Sequence, residues 1–173
     1  MKSRFFTLFL LISPNYCFCQ EPSSQSHQLP HNSVNIELLG NSFLIGSINY
    51  EKIFHLKNGH YLSGRIGVGY DYYQEINILS TPILINYIYN IHKDISIELG
   101  LGTDIVIQFE NNSNENELIP LFTGVIGVRI QSPTGFIFKA GITPFINFGE
   151  KHPIRISTFF MPWVGISFGY SFR

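Results

Sequence analysis

The sequence predicts an all-β fold, an eight-stranded antiparallel up-and-down transmembrane β-barrel, and three observations carry that reading. From about residue 33 onward the chain divides into segments of roughly 7 to 14 residues with two-residue alternation and many β-branched or aromatic side chains. Short turns and longer polar connections follow those segments by turns. Within each segment one parity is apolar, whereas the other mixes glycine, serine and charge.

The first residues read as an export signal. Lys2 and Arg4 supply positive charge, Phe5 to Ile12 an apolar stretch, and Ser13, Pro14 and Asn15 end it ahead of Cys17 and Cys19. Cleavage is expected between Cys19 and Gln20, giving a signal peptide over 1–19. Bulky residues stand before both cysteines, which argues against lipid attachment there. Both cysteines then leave with the signal, so disulfides and thiolate metal sites are not expected in the exported chain. Residues 20–32 are Ser, Gln, His and Pro with almost nothing apolar, and are expected to form a flexible periplasmic lead-in that adds nothing to a core. The barrel then occupies 33–173.

Its strands are expected near Ser33–Leu39, Phe43–Phe54, Tyr61–Tyr72, Pro82–Asn90, Ile95–Gln108, Leu118–Gln131, Gly135–Asn147 and Thr158–Phe172. Tight turns with Asn-Gly, Asp or Pro chemistry follow the second, fourth and sixth: Lys57-Asn58-Gly59, Lys93-Asp94 and Ser132-Pro133-Thr134-Gly135. At the other end Gly40-Asn41-Ser42 is short, but Glu110 to Glu117 and Gly149 to Ser157 are long and polar. Turns at one end and loops at the other suit a barrel of the outer-membrane type. No stretch approaches the roughly 20 apolar residues of a membrane helix.

Alternation separates two kinds of barrel. A soluble cup is apolar inside, whereas a membrane barrel is apolar outside. In the fifth strand Ile95, Ile97, Leu99, Leu101, Ile105 and Ile107 oppose Ser96, Glu98, Gly100, Gly102, Asp104 and Gln108. The last strand sets Val164, Ile166, Phe168, Tyr170 and Phe172 against Gly165, Ser167, Gly169 and Ser171. Over all strands the less apolar parity holds Glu37, Glu51, Arg65, Glu98, Asp104, Arg129 and Lys139. A narrow interior accommodates small residues and paired charges, so these seven are expected to form a structural charge network in the lumen. Aromatics gather toward strand ends and predict two interfacial girdles, with Tyr50, Phe54, Tyr87 and Tyr89 among those near the turns and Tyr70, Tyr72, Phe145 and Trp163 among those near the loops.

Gly165-Ile-Ser-Phe168-Gly-Tyr170-Ser-Phe172-Arg173 resembles the carboxy-terminal strand of bacterial outer-membrane β-barrels, with spaced aromatics and a nearly terminal Phe. Ser33 to Asn41 and Ile48-Asn-Tyr-Glu51 resemble the openings of small bacterial barrels. The resemblance implies an outer-membrane location in a Gram-negative envelope, contact with outer-membrane lipid, and recognition of Gly165, Phe168, Tyr170 and Phe172 by the barrel-assembly machinery.

No catalytic, cofactor or metal-binding constellation stands out. His31-Asn32-Ser33 is the one His-x-Ser and precedes the first strand, while His55, His60 and His92 lie in turns or at strand edges and His152 in the last loop, with no His-x-x-x-His spacing among these four. Gly64-Arg-Ile-Gly67-Val-Gly69 sits inside a strand with no helix after it, which is not phosphate-loop context. Only 13% of residues are charged, against about 25% in ordinary domains, and the balance is close to neutral, so nucleic acid is not an expected partner. The expected role is that of a small non-enzymatic envelope protein with structural, surface-contact, or minor solute or lipid duties. A lipid-modifying barrel enzyme and a secreted lipocalin-like binder are the alternatives. The ligand, if there is one, is not legible.

Overall fold

The computed structural model describes residues 29–42, 46–73, 76–110, 116–147 and 160–172. The expected signal peptide and most of the lead-in lie outside the described residues.

Eight strands follow one another around a closed barrel: β1 (Asn32–Leu39), β2 (Gly46–His55), β3 (His60–Tyr73), β4 (Ile76–His92), β5 (Ile95–Glu110), β6 (Asn116–Gln131), β7 (Phe136–Ile146) and β8 (Phe160–Phe172). Each pairs antiparallel with its neighbours in sequence, and β1 pairs with β8 from Asn32↔Phe172 to Leu39↔Gly165, so no edge is left open. The turns follow their sequence chemistry. Asn58 (φ 53°) and Gly59 (φ 79°) take the two left-handed positions of the β2–β3 hairpin, where an Asn-Gly pair is at home. Gly135 (φ 98°) closes the β6–β7 turn with the tip of Tyr170 against it, so a side chain there would be both strained and crowded.

Strand ends shift by a few residues throughout, and two elements depart further from their expectation. Strand β4 begins at Ile76 rather than Pro82, because proline has no N–H to give yet interrupts the β3 pairing only locally, between Ile66↔Ile83 and Gly69↔Ser80. The β1–β2 connection is not a simple surface loop. Its backbone turns through left-handed Leu39 (φ 60°) and Gly40 (φ 75°) into a 3-10 turn, Gly40–Ser42, whose three residues are all buried.

Alternation decides what faces outward. In β5, Ile97, Leu99 and Leu101 are exposed while Ser96, Glu98, Gly100 and Asp104 are buried, and the same division runs through β1, β2, β3 and β8. Isoleucine, leucine, valine, phenylalanine and tyrosine cover the outer wall, reaching 79% exposure at Leu101. A soluble cup has the opposite polarity, so the secreted-binder alternative does not fit this wall.

Candidate functional site: the barrel lumen

Because inward positions come from every strand, residues far apart in sequence meet on the barrel axis. At mid-height Glu51 of β2 is the hub. Its Oε2 lies 2.8 Å from Arg129 Nη1 of β6 and 2.8 Å from Lys139 Nζ of β7. It also accepts hydrogen bonds from the hydroxyls of Ser63 (2.6 Å) and Ser33 (3.2 Å). Glu98 of β5 takes the other side of the same cations, 3.3 Å from Lys139 Nζ and 3.7 Å from Arg129 Nη1. Arg129 is wholly buried; its Nε donates to Gln131 (2.9 Å), whose amide donates in turn to Ser171 of β8 (3.0 Å).

A second pair lies beside the first. Arg65 Nη1 of β3 is 3.5 Å from Glu37 Oε2 of β1. The other Glu37 oxygen accepts from the backbone N–H of Asn41 (3.0 Å) and from its side-chain amide (3.2 Å), fixing the inward turn of the β1–β2 connection. Asn41 in turn accepts from Thr123 of β6 across the lumen (2.9 Å). A cavity of only about 20 Å³, roughly one water, remains among Glu37, Arg65, Glu98, Lys139, Thr143 and Ser167.

The seven predicted lumen charges therefore all point inward and are buried, but they do not form one network. Glu51, Glu98, Arg129 and Lys139 make a four-membered cluster, and Glu37 with Arg65 a pair, three acids against three bases. Asp104 stands apart from both. Among the described residues it makes no ion pair, and both its oxygens face the hydroxyl of Ser80 at 2.7 and 2.8 Å. Strand parity places a residue inward without fixing its height, which is what separates Asp104 from the others.

Apolar layers close the lumen above and below the charges, and the sequence reading missed both. At the loop end Ile78, Val106, Ile119, Leu121 and Phe145 are buried together, with Trp163 packed against them. Phe145 and Trp163 thus face inward rather than joining an interfacial girdle. The signal was present: Phe145 shares the parity of Lys139, and Trp163 that of Gly165. At the turn end Leu29, Ile53, Tyr61 and Ile88 form the second layer, with His31 O accepting from Ile53 N–H at 2.6 Å. The end of the lead-in, expected to add nothing to a core, supplies Leu29 to this one, because a single leucine suffices to fill the narrow mouth.

The His31-Asn32-Ser33 sequence does not assemble a nucleophile and its base. Ser33 donates to Glu51, and the His31 ring lies against the Ile53 carbonyl. No three metal-ligating His, Cys, Asp or Glu side chains converge among the described residues. In β8, Phe168, Tyr170 and Phe172 line the outer wall, the Phe168 ring lies tilted against Phe138 (centroids 5.2 Å and planes 51° apart), and Gly165 faces the lumen where a side chain would collide with Gly40.

Fold and lumen together define a small closed barrel with an apolar wall and an interior filled by its own side chains. Solved structures similar to this chain include small eight-stranded outer-membrane barrels. The chain is similar to the N-terminal β-barrel domain of Pseudomonas aeruginosa OprF (TM-score 0.51, 14% identity, 84% of this chain and 100% of that one). It is equally similar to the attachment invasion locus protein Ail of Yersinia pestis (TM-score 0.53, 11% identity, 84% and 100%). Neisserial surface protein A follows closely (TM-score 0.50, 10% identity, 82% and 94%). At such identities the likeness is one of fold. No protein-family model and no curated protein matches the sequence.

Proposed function

We propose that this chain is an exported protein of the bacterial outer membrane that spans the lipid as a closed, non-conducting barrel and acts without catalysis, as a structural or surface-contact element of the envelope. The observation that carries the reading is its inverted polarity. Leu101 and its neighbours expose a continuous apolar wall, while Glu51, Arg129 and Lys139 are shut inside. Water would penalise that wall, and lipid would not. Export by the 1–19 signal and recognition of the β8 aromatics Phe168, Tyr170 and Phe172 by the barrel-assembly machinery belong to the same proposal, as does outer-membrane lipid as the partner in constant contact. The filled lumen argues against solute passage, because charge and apolar layers occupy its whole height.

Fractionation of the host envelope, followed by electrophoresis of detergent extracts with and without boiling, tests it. Outer-membrane recovery with faster migration of the unboiled sample is expected. Recovery as a soluble protein overturns the membrane reading.

A further inference from the structure

On the outer wall at the turn end, the first residue of β3 meets two tyrosines of β4. The His60 ring stacks on Tyr89 (centroids 4.8 Å apart, planes 26° apart) and on Tyr87 (5.8 Å, 27°), and His60 Nδ1 is hydrogen-bonded to the Tyr87 hydroxyl. These three, with Ile97 and Leu99 of β5, line a surface trough of about 340 Å³. Its walls are apolar rings and aliphatic chains, and its polar groups are the imidazole and the phenol. Two hairpin turns flank it. Asn90 N–H donates to Gly59 O (2.9 Å) and Asn90 Nδ2 to Lys93 O (3.3 Å), so the β2–β3 turn bearing Lys57 and the β4–β5 turn bearing Lys93 are tied together. Both lysines are exposed, and neither makes an ion pair among the described residues. Asp94 follows Lys93 in the β4–β5 turn but makes no ion pair with either lysine, whereas Glu110 and Glu117 lie at the opposite end, beside the β5–β6 connection.

We infer that this trough holds an anionic glycerophospholipid, with the phosphate at the His60 and Tyr87 polar groups between Lys57 and Lys93 and an acyl chain along Tyr89, Ile97 and Leu99. This rests on the membrane reading proposed above. Charge complementarity selects the occupant: the two ammonium groups outweigh the single Asp94 carboxylate, so the rim attracts an anionic headgroup more than a zwitterionic one. An apolar trough running away from a polar rim also fits a lipid better than a soluble anion. The hydrogen-bonded, stacked His60–Tyr87–Tyr89 group presents its donors with little side-chain freedom left to lose.

The test is native mass spectrometry of the detergent-extracted barrel with phosphatidylglycerol or phosphatidylethanolamine added. Preferential retention of phosphatidylglycerol is expected, with the preference falling about fivefold for each of K57Q and K93Q. H60A should weaken retention further, and K151Q/R155Q, which removes two positive charges from the β7–β8 connection, should leave it unchanged. Equal retention of the two lipids, or an equal loss in K151Q/R155Q, overturns the site. Heat-modifiability of the same samples separates the two claims. A heat-modifiable barrel without lipid preference sinks this inference alone, whereas a chain that never forms one sinks the membrane reading beneath it.

Discussion

Thr123 donates a 2.9 Å hydrogen bond to Asn41, joining residues 82 apart in sequence across the width of the lumen. It ties the inward turn after β1 to the far wall at β6, while Glu37 secures the same turn from the near wall. Thr123→Val removes the donor and leaves the Asn41 oxygen buried without it, at a cost of about 1–3 kcal/mol. Urea titration of the barrel in detergent, followed by the loss of its fast-migrating band, would register the change as a lower midpoint. An unchanged midpoint would show that the turn is held by Glu37 alone.

Glu51 is the one carboxylate shared by Arg129 and Lys139 at 2.8 Å each. Glu51→Gln strips the hub of its charge and leaves buried cations with only Glu98 near them, and about 3–5 kcal/mol of destabilisation is expected. Pairing it with Arg129→Met should recover part of that loss, because the double variant restores the local balance of charge. A double variant less stable than Glu51→Gln would mean that Arg129 serves by packing rather than by charge.

Leu101 projects from the middle of β5 and faces Ile85 of β4 on the outer wall. Leu101→Arg should cost about 2–4 kcal/mol in lipid, and the same change at Ile97, closer to the turn end, should cost less. Folding titrations in vesicles measure both, and equal costs would contradict the assignment of depth.

Phe145 is 1% exposed within the loop-end apolar layer, against which the single tryptophan, Trp163, is packed. Phe145→Ala should cost about 3–5 kcal/mol and shift the Trp163 emission to the red as water enters. Planar-bilayer recordings should still show no steps, because the charge layer and the turn-end layer remain in place. Conductance in the parent protein would overturn the closed lumen.

Gly135 takes φ 98° under the ring of Tyr170 and offers its carbonyl to Ser171 N–H (2.7 Å). Gly135→Ala therefore combines backbone strain of about 1 kcal/mol or more with a collision against β8. Its thermal midpoint should fall further than that of Gly64→Ala, where a side chain would meet only open space.

Strand number, order and facing were legible because a two-residue period is a local property. Ile97 and Glu98 announce their faces by being neighbours. What stayed hidden needs three-dimensional height as well as parity. Asp104 has the parity of Glu98 yet sits with Ser80 toward the loop end, out of reach of Arg129 and Lys139. Phe145 and Trp163 looked interfacial because they are aromatic and near strand ends, when their parity already directed them inward. The inward turn at Gly40–Ser42 had no local signal beyond one glycine, since its partners Glu37 and Thr123 are supplied by the closed wall. The His60 trough was invisible for the same reason: neighbouring strands meet there through hydrogen bonds between turns.

The seam between β1 and β8 joins residues 32–39 to 165–172, so it forms only when nearly the whole chain is in place. The contacts of Glu51 with Arg129 and Lys139 join β2 to β6 and β7, so these partners face one another only across a curled sheet. A flat intermediate would leave Glu51 beside its register partner Arg65 and away from Arg129 and Lys139. Closing the seam thus removes the greasy wall's last edge and completes the pairing inside in a single event. Such a barrel has little reason to linger half-open, and its assembly in lipid should be abrupt, with the last strand arriving as the charges find their partners.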